Sequence, residues 1–184
     1  DILTIGWSAL QTVRDADLGM VIHAHRAMHA AVTKNPYHGI SMLTIAKIAR
    51  LIGVDQLHIG AVFGKMVGGA KEVVPIGEEI EDKIIRPEEP AHRLEQDWGR
   101  IKPVFAVCSG GLYPGAVPPL MKTMGNNIII QAGGGCHGHP DGTVYGARAM
   151  RQAVEATMKG ISLEKYAEDH MELHKAIWKW GVKK

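Results

Sequence analysis

The sequence predicts an α/β protein made of successive βα units. Three observations carry that reading. Short apolar, β-branched runs alternate with stretches of helical periodicity in one repeating order. The later runs, VFAVC and NIIIQA, are almost continuously apolar, as parallel strands covered by helices are. Glycine clusters stand directly after them, where strands of such a sheet end. The expected strands cover residues 1–5 (DILTI), 20–25 (MVIHAH), 56–62 (QLHIGAV), 103–108 (PVFAVC) and 127–132 (NIIIQA). Such units fit an open doubly wound sheet or part of a closed eight-stranded barrel. A complete barrel takes about 250 residues and at least about 200, so in a chain of 184 residues the barrel reading leaves strands missing.

The helices follow from periodicity and punctuation. One is expected over residues 8–17. The clearest is SMLTIAKIARLIG, with Met42, Ile45, Ile48, Ala49 and Ile52 on one face, Ser41 as N-cap and Gly53 as stop. A third is expected over 77–100, broken near Pro87 and Pro90, with the charged stretch from Lys71 to Lys102 read as a solvated helical connector. Others are expected over 114–124, about 143–159 and about 162–178. No linker, low-complexity tract or second domain stands out.

Composition narrows the function. With 21 Lys plus Arg against 19 Asp plus Glu, and the two signs interspersed, the chain lacks the basic patches of a nucleic-acid or membrane-surface protein. Two cysteines, Cys108 and Cys136, are too few for a disulfide framework, and no signal peptide or long apolar span is present. A cytoplasmic location is expected. The first residue is Asp rather than Met, which suggests processing, truncation or a piece of something longer.

In parallel α/β architectures the chemistry gathers at the carboxyl ends of the strands, and here those ends are cationic or glycine-rich. The second strand runs into His23, His25, Arg26 and His29; the third contains His58 and leads to Lys65; the fourth ends in Ser109, Gly110 and Gly111; the fifth in Gly133, Gly134 and Gly135. Glycines at such turns let backbone N–H groups approach an anion. Arg26 offers a planar fork for phosphate, and a strand-end imidazole at His58 adds a donor. A phosphorylated small molecule is the expected ligand. Taken singly, a Gly-Gly after a strand is usually a turn, and His38, His92, His170 and His174 read as structural. GAVFGKM fails as a P-loop, having three residues where four are needed and Met66 where Ser or Thr is needed. The pairs His23/His25 and His137/His139 raise a rival reading, a zinc-type hydrolase. No predicted strand ends in Asp or Glu to complete such a site.

At these strand ends the chain resembles the large subunit of ribulose-1,5-bisphosphate carboxylase/oxygenase (Rubisco) over nearly its whole length. HAHRAMHA is similar to the family's fifth-strand motif, HIGAVFGK to its sixth strand and mobile loop, CSGG to its seventh, and QAGGGCHGHP to its eighth with a short phosphate-binding helix; DILTIGW is similar to the fourth strand. The resemblance implies strands four to eight of a TIM (β/α)8 barrel plus C-terminal helices, and the loops resemble the archaeal form III group. It implies that Arg26, His58 and Ser109 contact one phosphate of ribulose 1,5-bisphosphate. Gly111, Gly133 and Gly134, with Gly110 beside them, are implied to hold the other. His25 would transfer protons near the reacting carbons, with His29 supporting the site. Lys65 would close over the substrate on a loop from about Phe63 to Gly69 and stabilise the carboxylate formed from CO2, a charge present only as the bond forms.

The implied reaction is Mg2+-dependent carboxylation to two 3-phosphoglycerates, with O2 competing. The Mg2+ ligands, expected on earlier strands, and the N-terminal domain that completes each site across a dimer are not in this sequence. The chain alone is therefore expected to be inactive and to need the missing part of the subunit, within an oligomer built from dimers. Alternatives are a Rubisco-like phosphosugar enolase or isomerase, and an inactive phosphosugar-binding fragment. Three accounts of the shortness stand side by side: a cleaved or partial subunit, a split gene, or a designed half-barrel.

Overall fold

A computed structural model describes residues 1–35, 37–63 and 69–183. These fall into two compact units: residues 1–59, 71–108 and 127–129 form the first, and 60–70, 109–126 and 130–184 the second. The main sheet has four strands, β1 (His23–Ala24), β2 (Gln56–Gly60), β5 (Phe105–Ser109) and β6 (Ile128–Gln131), in the order β1-β2-β5-β6. β1 and β2 are parallel, with His23 opposite Gln56 and Ala24 opposite Leu57.

The first expected strand is corrected. DILTI is helical: α1 (Ile2–Ile5) is followed by α2 (Trp7–Asp15). A short apolar run satisfies a strand or a helical turn equally well. Here Asp1 O accepts from Thr4 N and Ile5 N, while only Ile2 N reaches across, to His25 O. The second expected strand shrinks from residues 20–25 to His23–Ala24, leaving Met20 and Val21 exposed.

After α3 (Ala30–Thr33), α4 (Met42–Ile52) forms as its sequence predicts. Ser41 Oγ accepts from Thr44 N at 3.1 Å, and Gly53, at φ 94°, closes the helix with its N–H on Ala49 O and Arg50 O. Ile45, Ala46 and Ala49 are fully buried, as are Leu57 and Ile59 of β2 and Val107 and Cys108 of β5.

The stretch 77–100 is also corrected. α5 (Gly69–Glu81) begins earlier, and its apolar face, Val73, Ile76 and Ile80, is buried. Beyond it the chain forms an antiparallel ribbon of β3 (Ile84–Ile85) and β4 (Gln96–Asp97). Nor is the charged stretch merely solvated: Glu79 is fully buried and Arg93 and Trp98 are nearly so. The organiser is Arg50, at 1% exposure. It donates to Glu79 O (2.8 Å), Asp82 O (2.7 Å) and Lys102 O (3.2 Å) and stacks 4.4 Å from the Trp98 ring. One guanidinium thus terminates α5 and ties it to α4 and to the approach to β5.

In the second unit, α6 (Val117–Met124) starts with prolines in its first turn, where missing N–H groups cost nothing. α7 (Gly134–His137) is a single turn, and α8 (Thr143–Met158) buries a stripe of small residues, Gly146, Ala149, Ala153 and Ala156. At Gly146 an added Cβ would lie 1.9 Å from Cys136 O, so α7 sits directly on α8. The expected last helix is two, α9 (Leu163–Tyr166) and α10 (Met171–Trp180). His170 turns between them, its Nδ1 2.7 Å from Tyr166 O and its ring stacked on Tyr166. Among the described residues no helix is long and apolar enough to cross a membrane.

Candidate functional site

The strand-end residues of the first unit form one polar layer. Side chains alternate along a strand, so His23 and His25 leave the same face of the chain while Ala24 between them is buried. In β2 the register sets Gln56 and His58 beside them, with Leu57 turned to the core. His23 is hydrogen-bonded on both sides: Nδ1 lies 2.5 Å from Gln56 Oε1 and Nε2 lies 2.7 Å from His58 Nε2. The His58 ring meets His23 and His25 edge-on, with centroids 4.8 and 4.5 Å apart.

His58 is 2% exposed. Burial first, then the positive fields of His25, His23 and Arg26, push its pKa down to about 4. The His25 pKa is lowered by desolvation, then by the amino terminus, His23 and Arg26. The His29 pKa is lowered by burial, then by Arg26, Lys34 and His25. Burial also lowers Arg26, with Glu72 opposing it. The cause common to all four is burial, and for the three histidines the positive fields of neighbouring groups add to it.

His25 Nδ1 has two competing partners, Asp1 Oδ1 at 2.9 Å and the Ala27 amide at 3.1 Å. A ring nitrogen cannot donate and accept at once. The shorter, charge-assisted contact puts the proton on Nδ1 and leaves the lone pair on Nε2. His29 Nδ1 lies 3.0 Å from Thr33 Oγ1.

In the second unit, Ser109 ends β5 and is followed by Gly110 (φ 114°) and Gly111 (φ 70°), a left-handed turn that glycine alone adopts without strain. The triple glycine after β6 divides in two. Gly135 is a packing glycine: a Cβ there would lie 2.2 Å from Leu112 O. Gly133 and Gly134 have nothing within 4 Å of an added Cβ, and neither has a positive φ. Neither packing nor conformation among the described residues requires glycine at these two positions, so what their bareness provides is open backbone.

The rival metal reading is not supported by geometry. His139 is buried, with Nε2 2.9 Å from Glu172 O and Nδ1 accepting from Asp141 N at 3.1 Å, so both ring nitrogens serve the fold. His137 Nδ1 lies 3.1 Å from Thr143 Oγ1. The Cys108 thiol is pushed up to about 12 by burial, which suits a core residue and not a nucleophile. Lys65 lies outside the described residues. The sequence pattern names His23 among the strand-end histidines and in the metal reading but gives it no role beside His58, and it leaves Gln56 unmarked. The register with which HAH meets QLH is the signal that joins them.

Fold and site together define an α/β protein whose strand ends carry a layer of histidines with Arg26 in one unit and glycine turns in the other. Residues 1–180 match the family described as "Ribulose bisphosphate carboxylase large chain, catalytic domain", and the chain belongs to that family. It is similar to the ribulose bisphosphate carboxylase of Methanosarcina acetivorans, 53% identical over 182 residues that make up 98% of this chain and 42% of the relative. The carboxylase of Methanocaldococcus jannaschii is 54% identical over 180 residues, again 98% and 42%. Among solved structures, an archaeal Rubisco superposes with a TM-score of 0.92 at 48% identity, covering 100% of this chain and 43% of its own. A dimeric archaeal Rubisco from Hyperthermus butylicus gives 0.90 at 50%, with the same coverage. The chain therefore spans less than half the length of the relatives it matches. Its α/β fold is that of part of the Rubisco barrel, and its four main-sheet strands do not close one.

Proposed function

We propose that the chain is the C-terminal portion of a Rubisco large subunit's catalytic barrel and supplies phosphate-binding and proton-transfer groups for carboxylation of ribulose 1,5-bisphosphate to two 3-phosphoglycerates. One observation carries the reading: a half-buried Arg26 guanidinium lies beside the buried imidazole of His58 at one set of strand ends, while Gly133 and Gly134 are bare for no conformational or packing reason among the described residues. Anions fit both features, the first by charge-assisted donation and the second by backbone N–H groups. Ser109, Gly110 and Gly111 join the anion-binding set, and His29 supports it beside Arg26.

His25, neutral near pH 7 because its pKa is lowered, with Nδ1–H held by Asp1, keeps a lone pair on Nε2 for taking a proton from a substrate carbon or hydroxyl. Lys65 is assigned the ammonium that meets the new carboxylate, and O2 is the competing co-substrate. The family's Mg2+ supplies Lewis-acid stabilisation of an enediolate when bound. The residues present do not fit it: among the described residues no group of three or more His, Cys, Asp or Glu side chains can hold a metal ion. The metal belongs, in this reading, to residues outside the chain. So does completion of the active site, by the rest of the subunit within a cytoplasmic, dimer-based oligomer.

The test is 14CO2 fixation by the purified chain, alone and co-produced with the N-terminal remainder of the Methanosarcina acetivorans relative. Turnover is expected only in the combination, and Lys65→Ala should abolish it. Fixation by the chain alone would overturn the reading, as would a correctly assembled combination that fails to bind ribulose 1,5-bisphosphate.

A further inference from the structure

One turn in the first unit breaks the residue rule for its own geometry. Among the described residues, three that are not glycine have a positive φ: Asp17 (41°), Met28 (69°) and His92 (51°). Aspartate and histidine adopt the left-handed region comparatively often, whereas an apolar side chain such as methionine resists it. Met28 is also 67% exposed, so its side chain gains little burial to offset the strain. It stands between Arg26 and His29. We propose that Met28 is a positioning residue: the left-handed turn in which it is held fixes Arg26, with His29 beside it, in the arrangement that receives a phosphate group. The inference deepens the proposed function and rests on Arg26 belonging to a phosphate site.

Hydrogen bonds define the turn. His29 N donates to Arg26 O at 3.1 Å, closing a four-residue β-turn over Ala27 and Met28. Of the two central residues only Met28 has a positive φ, the signature of a type II turn, in which that position ordinarily belongs to glycine or asparagine. Both ends are anchored. On the strand side β1 is paired with β2, and Ile2 N donates to His25 O at 3.0 Å. On the helix side His29 O accepts from Val32 N (3.0 Å) and Thr33 N (2.9 Å), and His29 Nδ1 lies 3.0 Å from Thr33 Oγ1. With its ends fixed by those bonds, the link between them has to turn sharply, and Met28 absorbs the turn as backbone strain. The two ends feel each other: after burial, the Arg26 charge is the next cause that lowers the His29 pKa.

Glycine would relieve the strain but loosen the turn. At a positive φ glycine moves between the left-handed and extended regions, whereas a Cβ confines the residue to the small left-handed well. Met28 therefore leaves the turn a single shape, and Arg26 and His29 are in place before an anion arrives. A glycine turn would have to be ordered on binding. Met28 acts through the backbone of its neighbours and does not touch the substrate; a local rule is broken where the geometry serves a site.

The test compares the parent with Met28→Gly and Met28→Asn by urea unfolding and by 1H–15N NMR of the Arg26 side chain during titration with inorganic phosphate, with Arg26→Ala to identify the signal. Met28→Gly should raise the urea midpoint by about 0.3 M, because a Cβ at positive φ is destabilising. The same variant should weaken phosphate binding at Arg26 about tenfold, the scale of one backbone position left to be ordered on binding. Met28→Asn, which accepts the left-handed region while keeping a Cβ, should bind within about threefold of the parent. Undiminished binding by Met28→Gly overturns the proposal, and so does a Met28→Gly midpoint no higher than the parent's, since a purely structural residue would not gain stability when removed. Equal weakening by both variants assigns the effect to the methionine side chain and overturns the backbone role. A parent whose Arg26 signal ignores millimolar phosphate overturns the phosphate site and this use of the strain with it, a failure told apart because the Met28→Gly midpoint, which needs no ligand, still rises.

Discussion

Acidification should destabilise this chain through one residue above all. His58 is 2% exposed and its pKa is pushed down to about 4, from an ordinary 6.5. The native state thus resists a proton that the unfolded chain takes up readily. Stability is unaffected above pH 6.5, falls as pH drops from 6.5 towards 4, and levels off below 4, where both states carry the proton. At about 1.4 kcal/mol per pH unit the full effect is about 3 kcal/mol, a large share of the roughly 5–15 kcal/mol that holds a typical domain together. Urea unfolding of the parent and of His58→Gln, measured in parallel from pH 8 to pH 3.5, isolates this contribution, because groups common to both cancel. The parent should lose about 3 kcal/mol more than the variant, almost all of it between pH 6.5 and 4. Parallel stability profiles would refute the reasoning, and so would a difference that grows on the alkaline side.

Other perturbations test other parts of the structure. Gly133→Ala and Gly134→Ala should leave the unfolding midpoint within about 1 kcal/mol of the parent, since their added methyls meet nothing, yet should weaken phosphate binding by titration calorimetry; Gly135→Ala and Gly146→Ala, pressed against Leu112 O and Cys136 O, should destabilise by about 1–3 kcal/mol or more. Arg50→Met removes the donor to three carbonyls and the positive charge near buried Glu79, whose carboxylate among the described residues then keeps Lys47 Nζ at 3.3 Å; a loss of about 3–5 kcal/mol in urea is expected, and a loss under 1 kcal/mol would show the clamp to be dispensable. Ser41→Ala should cost about 1 kcal/mol by the same assay, as loss of an N-cap acceptor does.

Much of this was legible in the residues. The caps and stripe of α4, the helical end of the 114–124 stretch and the apolar runs of β2, β5 and β6 are decided by neighbours within a turn or two, and they formed close to where the pattern predicts. The histidines, Arg26 and glycines at the strand ends were legible because each stands where an apolar run stops. Less legible was DILTI, whose five residues satisfy a strand or a helical turn equally and whose outcome depended on a pairing partner. The ribbon of β3 and β4 escaped because its strands have two residues each, too few for any period to register.

By itself, then, the sequence determined the βα order, the clearest helix and its caps, and the chemical character of the strand ends, all of which rest on interactions among residues close along the chain. Tertiary structure decided which groups meet: that Arg50 is sealed under Trp98, that Gly135 is packing while Gly133 and Gly134 are open, and that His23 links Gln56 to His58. Those outcomes turn on strand register and on burial by segments some 20 to 50 positions away, and no local pattern of residues encodes the distance between two groups so far apart in the chain.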